Sequence, residues 1–341
     1  PANSSRSDFR LYLTASRNRN FPKIFQIWPN GISACPITMS GSMNILTFDI
    51  EEWFHILETA ETEDAEKWDK FETRIYGNTD RILNALEDSG SKATFFIVGW
   101  IAKRYPDIVK EISRKYEIGS HTGNHKPVWA QSPEDFRADV RNEIKRLEDI
   151  SGKKVVSFRA PGFSIRASEM WAFDALAEEG IMYDASVFPG THAHGGISGA
   201  PFSPFKIKSH SGTVKEFPVS AKKLFGKNII YSGGGYFRIT PYSIMKKWMG
   251  ESTYNLVYIH PRDMDPGQPV INSLSRLRKF KSYCGLGKAE AKLKQLLKDF
   301  KFIDISSADK LINWDSAEHW GNGNAAICVD NAAAEPTVFW I

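Results

Sequence analysis

Cysteine is scarce in this 341-residue chain, with Cys35, Cys284 and Cys328 odd in number, far apart and in no metal-binding pattern. A disulfide scaffold is thereby excluded. Long hydrophobic runs are missing as well, since no window approaches the roughly 20 apolar residues of a membrane span. The run nearest to a signal peptide, Phe21–Trp28, is interrupted by Lys23 and Gln26. The expectation is a protein without a membrane span that stays where it is made, in the cytoplasm. An excess of one charge is also absent: 44 Lys and Arg stand against 40 Asp and Glu. With no basic block interleaved with aromatics, that balance argues against a nucleic-acid partner. Gly233-Gly234-Gly235 lacks the Lys-Ser/Thr and the helix start of a phosphate loop, so it reads as a turn that lets backbone approach closely.

What is present is the composition of a globular protein, 42% hydrophobic and 25% charged. Ten tryptophans and eleven tyrosines suit a sugar-binding cleft or an aromatic core. Residues 1–42 read as a polar tail before Met43, and 313–341 as an irregular tail, which leaves a folded body of about 43–312. Within it, strand and helix patterns alternate, as in a mostly parallel sheet or barrel. Thr79-Asp80 can cap a helix bearing Ile82, Leu83 and Leu86. Ser132-Pro133-Glu134-Asp135 fits a capping box opening a helix to about Ile150. Five predicted strands each run into a chemically capable residue: Asp49, His121, Arg159, Asp184 and His260. Such a concentration on one rim points to a site assembled from strand ends.

His121 and His125 can converge on one ion from a tight turn. A carboxylate from Asp49, Glu51 or Glu52 would complete a three-ligand site with open positions, the form of a catalytic metal centre. A second carboxylate could take a proton from water while a histidine opposite protonates the leaving group. Arg159 suits the orientation of a carboxylate through paired hydrogen bonds, and Asp184 could hold His260 protonated. His55 fits a cleft wall or a core position equally well, and the Gly-rich loop with His192 and His194 reads as solvated.

Thr47-Phe48-Asp49, His121-Thr122-x-x-His125, Arg159-Ala160-Pro161 and a late His260 resemble, in order, the motif set of the polysaccharide deacetylases, carbohydrate esterase family 4. Asp49-Ile50-Glu51-Glu52-Trp53-Phe54-His55, Gly233-Gly234-Gly235-Tyr236-Phe237-Arg238 and His260-Pro261 resemble the branch found with bacterial exopolysaccharide loci, in which a C-terminal extension, here from about 264, follows the histidine. The resemblance implies an α/β fold, a distorted (β/α) barrel, and metal-dependent release of acetate from N-acetylated amino sugars. By position it implies Asp49 as general base, His121 and His125 as metal ligands, Arg159 as the tether of Asp49, His260 as general acid supported by Asp184, and the Gly162 N–H at the oxyanion. Three departures bear on substrate preference. The third ligand has moved from the usual adjacent aspartate, to Glu51 or alternatively Glu52. The usual aromatic residue is Gly162, which would open the pocket, and the usual leucine is Tyr258. Glu51 is favoured because two residues along an extended chain return to the same face as Asp49.

The expected cofactor is a divalent metal, zinc first, with cobalt, nickel or iron suiting the same donors. The expected partner is a carbohydrate substrate, and nothing in the sequence decides whether the chain forms a homo-oligomer. An amidohydrolase acting on a small cyclic amide or ureide, and an inactive carbohydrate-binding relative, are the competing readings.

Overall fold

Every residue of Met43–Ile50 (β1) is buried, as in a strand covered on both faces. Its side chains alternate between two environments. Leu46, Phe48 and Ile50 join the core under the helices, while Met43 and Ile45 join a second cluster on the opposite face. Thr47 and Asp49 share that second face, which therefore carries polar groups towards its carboxyl end. The computed structural model describes residues 41–190, 192–224 and 227–320. Most of the 1–42 tail, and residues 321–341 of the C-terminal one, lie outside the described residues.

The strands that follow are β2 (Thr94–Ile97), β3 (Glu117–Ser120), β4 (Ser157–Phe158), β5 (Tyr183–Asp184), β6 (Phe205–Lys208), β7 (Thr213–Glu216), β8 (Ala221–Leu224), β9 (Lys227–Ile230), β10 (Tyr254–Ile259) and β11 (His319–Trp320). The main sheet has the order β10-β1-β2-β3-β4-β5-β7-β6-β11, with β8 and β9 forming a separate antiparallel ribbon. Every pair from β10 to β7 is parallel, and β6 alone runs antiparallel to its neighbour β7. The carboxyl ends of those strands consequently share one rim. The result is a curled, incompletely closed (β/α) barrel.

The helices are α1 (Ile75–Ser89), α2 (Gly99–Arg104), α3 (Pro106–Lys115), α4 (Pro133–Ser151), α5 (Ala172–Glu178), α6 (Gly234–Ile239), α7 (Tyr242–Gly250), α8 (Arg276–Tyr283), α9 (Leu286–Asp299) and α10 (Ile305–Asp309). The α4 start follows the sequence reading: Ser132 Oγ accepts from the Asp135 N–H, Pro133 takes the first turn, and Gly152 ends the helix at φ 68°. The break between α2 and α3 falls at Tyr105-Pro106, because the residue before proline disfavours helical backbone.

Two expectations are corrected. Thr79 does not cap α1, which starts at Ile75 and carries Thr79 buried inside it. The cap comes from a distant residue: Glu52 Oε1 accepts from the Arg74 N–H at 2.8 Å, the Ile75 N–H at 3.0 Å and Thr73 Oγ1 at 2.7 Å. A carboxylate at a helix N-terminus satisfies orphan donors and meets the positive end of the helix dipole. Residues 313–320, read as the start of an irregular tail, instead carry β11, where Trp320 is buried against Phe205. Glu52→Ala should lower the urea-unfolding free energy by ~2 kcal/mol, the scale of a lost cap that leaves buried N–H groups unpaired. Its metal stoichiometry should be unchanged, and loss of bound metal would instead make Glu52 a ligand.

Candidate active site

The turn after β3 brings two imidazoles to one place. Its backbone is unusual, with Thr122 at φ 61° and His125 at φ 50°, conformations L-residues seldom adopt. The surrounding chain holds it there. Gly99 and Trp100 donate their N–H groups to the carbonyls of Thr122 and Gly123 at 2.8 and 2.7 Å. The Gly123 N–H donates to both carboxylate oxygens of Asp139, at 2.9 and 3.1 Å. A Cβ on Gly123 would lie 2.4 Å from that carboxylate, so a larger residue would push Asp139 off the Gly123 N–H. Asp139 is pushed up to about 6 by burial, against the pull of the Gly123 N–H.

Glu51 leaves the end of β1 on the same face as Asp49, and its Oε1 lies 3.0 Å from Nε2 of His121 and 3.0 Å from Nε2 of His125. Nδ1 of His121 is 2.7 Å from the Arg159 carbonyl, which can only accept, so Nδ1 carries the hydrogen. In the neutral ring Nε2 then turns a lone pair towards a carboxylate oxygen. His125 Nε2 is buried and, although 3.0 Å from Glu51 Oε1, makes no aligned hydrogen bond among the described residues. Acceptors facing acceptors at this distance call for a cation among them, or for protons on the rings. Two imidazoles and one carboxylate are the donor set of an open divalent-metal site, and these residues fit one. Burial opposes ionisation of Glu51, but His125, His260 and His121 outweigh it and hold its carboxyl well below the ordinary value.

Asp49 and His260 flank that group. Arg159, with no solvent exposure, donates from Nη1 to Asp49 Oδ1 at 2.7 Å and to Thr47 Oγ1 at 2.8 Å. Its Nε donates to the Ala185 carbonyl at 2.9 Å, so it gives Asp49 one hydrogen bond rather than the expected pair. Phe96 lies under the guanidinium, 4.4 Å from ring centre to Cζ. His260 Nε2 is 3.7 Å from Asp49 Oδ2 and 3.9 Å from Glu51 Oε1. Burial would depress His260, but the carboxylates of Glu51, Asp263 and Asp49 push it up to about 9.

Asp184 does not support His260. Its carboxylate accepts from Ser186 Oγ at 2.6 Å and the Ser186 N–H at 3.0 Å, and it is paired with Glu216. Strands β1–β4 separate β5 from β10 in the sheet. The partner of His260 is Asp263, whose Oδ2 lies 2.9 Å from Nδ1 and accepts the His260 N–H at 2.9 Å. This residue went unread although its spacing carried a signal: a polar residue, proline, then Asp three positions on is a capping pattern.

Gly162 opens no pocket. It sits at φ 58°, and a Cβ there would meet Leu57 Cδ1 at 2.6 Å and His194 Cβ at 3.3 Å. His192 and His194 are half-buried rather than fully solvated. His192 packs on Phe188 with ring centres 4.4 Å apart and is depressed to about 3 by burial, while His194 pairs with Glu58 at 3.1 Å. His55 is a core residue behind the site, buried against Trp68 and stacked on His125. The glycine triplet opens α6, contrary to the sequence reading, but the close approach is there: a Cβ on Gly233 would fall within 2.0 Å of the Tyr258 ring. Tyr258 in turn packs edge-on against Phe163.

Residues 43–176 match the polysaccharide deacetylase family, and residues 185–310 match a domain of unknown function, DUF3473. Residues 43–176 therefore form a polysaccharide deacetylase domain. The deacetylase-matched region carries Asp49, Glu51, His121, His125 and Arg159, and the DUF3473 region carries Arg238, His260 and Asp263. A peptidoglycan-N-acetylglucosamine deacetylase of Bacillus cereus is 41% identical over 73 residues, 21% of this chain and 25% of that protein. A chitooligosaccharide deacetylase of Azorhizobium caulinodans is 33% identical over 85 residues, 24% of this chain and 40% of that protein. The chain thus spans a quarter to two fifths of the length of these relatives. A crystal structure of a putative polysaccharide deacetylase from Mycobacterium smegmatis superposes with a TM-score of 0.59 at 20% identity, over 84% of this chain and 96% of that one. It shares the barrel fold.

Burial and the Asp184 carboxylate raise Glu216 well above its usual value, and burial raises Asp184, so the pair shares a proton. A carboxyl that holds its proton more tightly when folded loses stability as pH rises above its unfolded value of about 4.3. Glu216→Gln keeps a neutral group there and should lose less melting temperature than the wild type between pH 5 and pH 8 (window set at about the unfolded carboxyl value and upward). Parallel curves for the two proteins would rule out the shared proton.

Proposed function

We propose that this chain is a metal-dependent deacetylase that hydrolyses N-acetyl groups on amino sugars of a bacterial exopolysaccharide or its precursor. The observation that carries the reading is the meeting of one Glu51 oxygen with Nε2 of both His121 and His125 at 3.0 Å. Asp49 on one side and His260 on the other support it. The named activities of the relatives from Bacillus cereus and Azorhizobium caulinodans agree on an N-acetylated amino sugar as substrate, and the DUF3473 match supports the exopolysaccharide branch.

In this reading Glu51, His121 and His125 hold a divalent cation, with zinc the first candidate. When bound it polarises an acyl oxygen and makes water more acidic. Asp49 takes the proton of the attacking water. Its hydrogen bond from Arg159 keeps one oxygen occupied and the other free for this task. The new C–O bond forms at the acetyl carbon, and the Gly162 N–H is the donor assigned to the oxygen that gains charge there. His260, cationic at neutral pH, delivers the Nε2 proton to the nitrogen as the C–N bond breaks. Acetate and a free amine leave.

The test is acetate release from N-acetylglucosamine oligomers and from an acetylated exopolysaccharide, run against ring opening of small cyclic amides. Asp49→Asn should lower kcat roughly 10²–10⁴-fold, the range of general-base catalysis, while zinc stays bound. His125→Ala should abolish zinc binding. Full activity in His125→Ala at unchanged metal content would refute the ligand assignment, and ring opening without acetate release would refute the substrate class.

A further inference from the structure

Arg238 belongs to the DUF3473 region, and its side chain is only 4% exposed. Its guanidinium is fixed at both ends. Nη1 donates to the Cys284 carbonyl at 2.6 Å and Nη2 to the Lys281 carbonyl at 2.8 Å, at the end of α8. Nε lies 2.8 Å from Asp263 Oδ1, an ion pair without the alignment of a hydrogen bond. Two glycines make this approach feasible. A Cβ on Gly235 would lie 3.0 Å from the Lys281 carbonyl, and one on Gly285, at φ 78°, would lie 3.0 Å from the Arg238 carbonyl. The other oxygen of Asp263 takes both the Nδ1 and the backbone N–H of His260. A carboxylate only accepts, so it fixes the hydrogen on Nδ1 and points Nε2 at Asp49 and Glu51.

We propose that Arg238 is a positioning residue for His260: pinned to the carbonyls at the end of α8, it holds the Asp263 carboxylate in place through their ion pair, and that carboxylate in turn fixes the ring and tautomer of His260. The inference rests on the hydrolase reading above. It gives the DUF3473 region a definite task, which is to support the proton donor of a site whose metal ligands and base lie in the other matched region. A guanidinium with both Nη groups engaged cannot follow a rotating carboxylate. Loss of that restraint frees Asp263 to turn and His260 to exchange tautomers.

The experiment compares zinc-loaded wild type with Arg238→Ala, Arg238→Lys, Asp263→Asn and the Arg238→Ala/Asp263→Asn double variant. It reads kcat, KM, zinc content and, above about pH 9 where the His260 ring is neutral, its tautomer by nitrogen NMR of histidine-labelled protein. Arg238→Ala should lower kcat roughly 10- to 100-fold, the range for a supporting group behind a catalytic one. KM and zinc content should stay within about twofold, and Arg238→Lys should recover part of the loss. Because the effect runs through Asp263, the double variant should be no slower than Asp263→Asn alone. In Arg238→Ala the His260 nitrogen signals should move towards a mixture of tautomers. Wild-type-like kcat and tautomer in Arg238→Ala would overturn the proposal, as would fully additive losses in the double variant. The NMR readout does not depend on turnover, so a wild type that releases no acetate would sink the hydrolase reading while Arg238 is still judged on the tautomer. If Arg238→Ala fails to fold, Asp263→Asn decides: an unchanged His260 tautomer there overturns the relay.

Discussion

A guanidinium sealed from water is the constraint around which the inner face of the barrel is arranged. Arg159 has no solvent exposure, and an ion moved that far from water costs roughly several kcal/mol unless partners compensate it. Its neighbours follow from that requirement. Asp49 and Thr47 on β1 accept from Nη1, the Ala185 carbonyl accepts from Nε, and the Phe96 ring lies beneath. The Asp184 and Glu216 carboxyls stand close enough to feel the same charge. Asp49 is therefore structural and chemical at once: it offsets Arg159 with one oxygen and presents the other to His260 at 3.7 Å.

The two glutamates that follow β1 show how adjacent like residues are given different tasks. Alternation sends Glu51 inward to the imidazoles and Glu52 the other way, to the start of α1. Arg74 offers no side-chain cap of its own, so a carboxylate more than twenty residues earlier in the chain does so. Helix capping and the placement of Glu51 beside the imidazoles are tied together at this point, since the same two peptide units orient both carboxylates.

The two matched regions form one sheet, because β10 pairs with β1 along its whole length. That pairing brings His260 beside Asp49. Behind His260 stand Asp263, from the turn after β10, and Arg238, from α6 before it, with the carbonyls at the end of α8 holding Arg238. Asp49 and His260 thus come from distant parts of the chain and meet across one strand pair.

The sequence by itself determined the alternating α/β architecture, the strand-end placement of Asp49, His121, Arg159 and His260, and the preference for Glu51 over Glu52. Each of these follows from local periodicity, turn chemistry or motifs that are each only a few residues long. Only the tertiary structure decided that Glu52 caps α1, that Asp184 shares a proton with Glu216 and leaves His260 to Asp263, and that Leu57 and His194 fill the space beside Gly162. Glu52–Ile75, Asp184–Glu216 and Gly162–Leu57 join residues between about twenty and about a hundred positions apart, where no periodicity constrains the partner. Asp263 lay within three residues of His260, but several carboxylates could have reached that ring, and packing of α6 against the end of α8 selected the one that Arg238 holds.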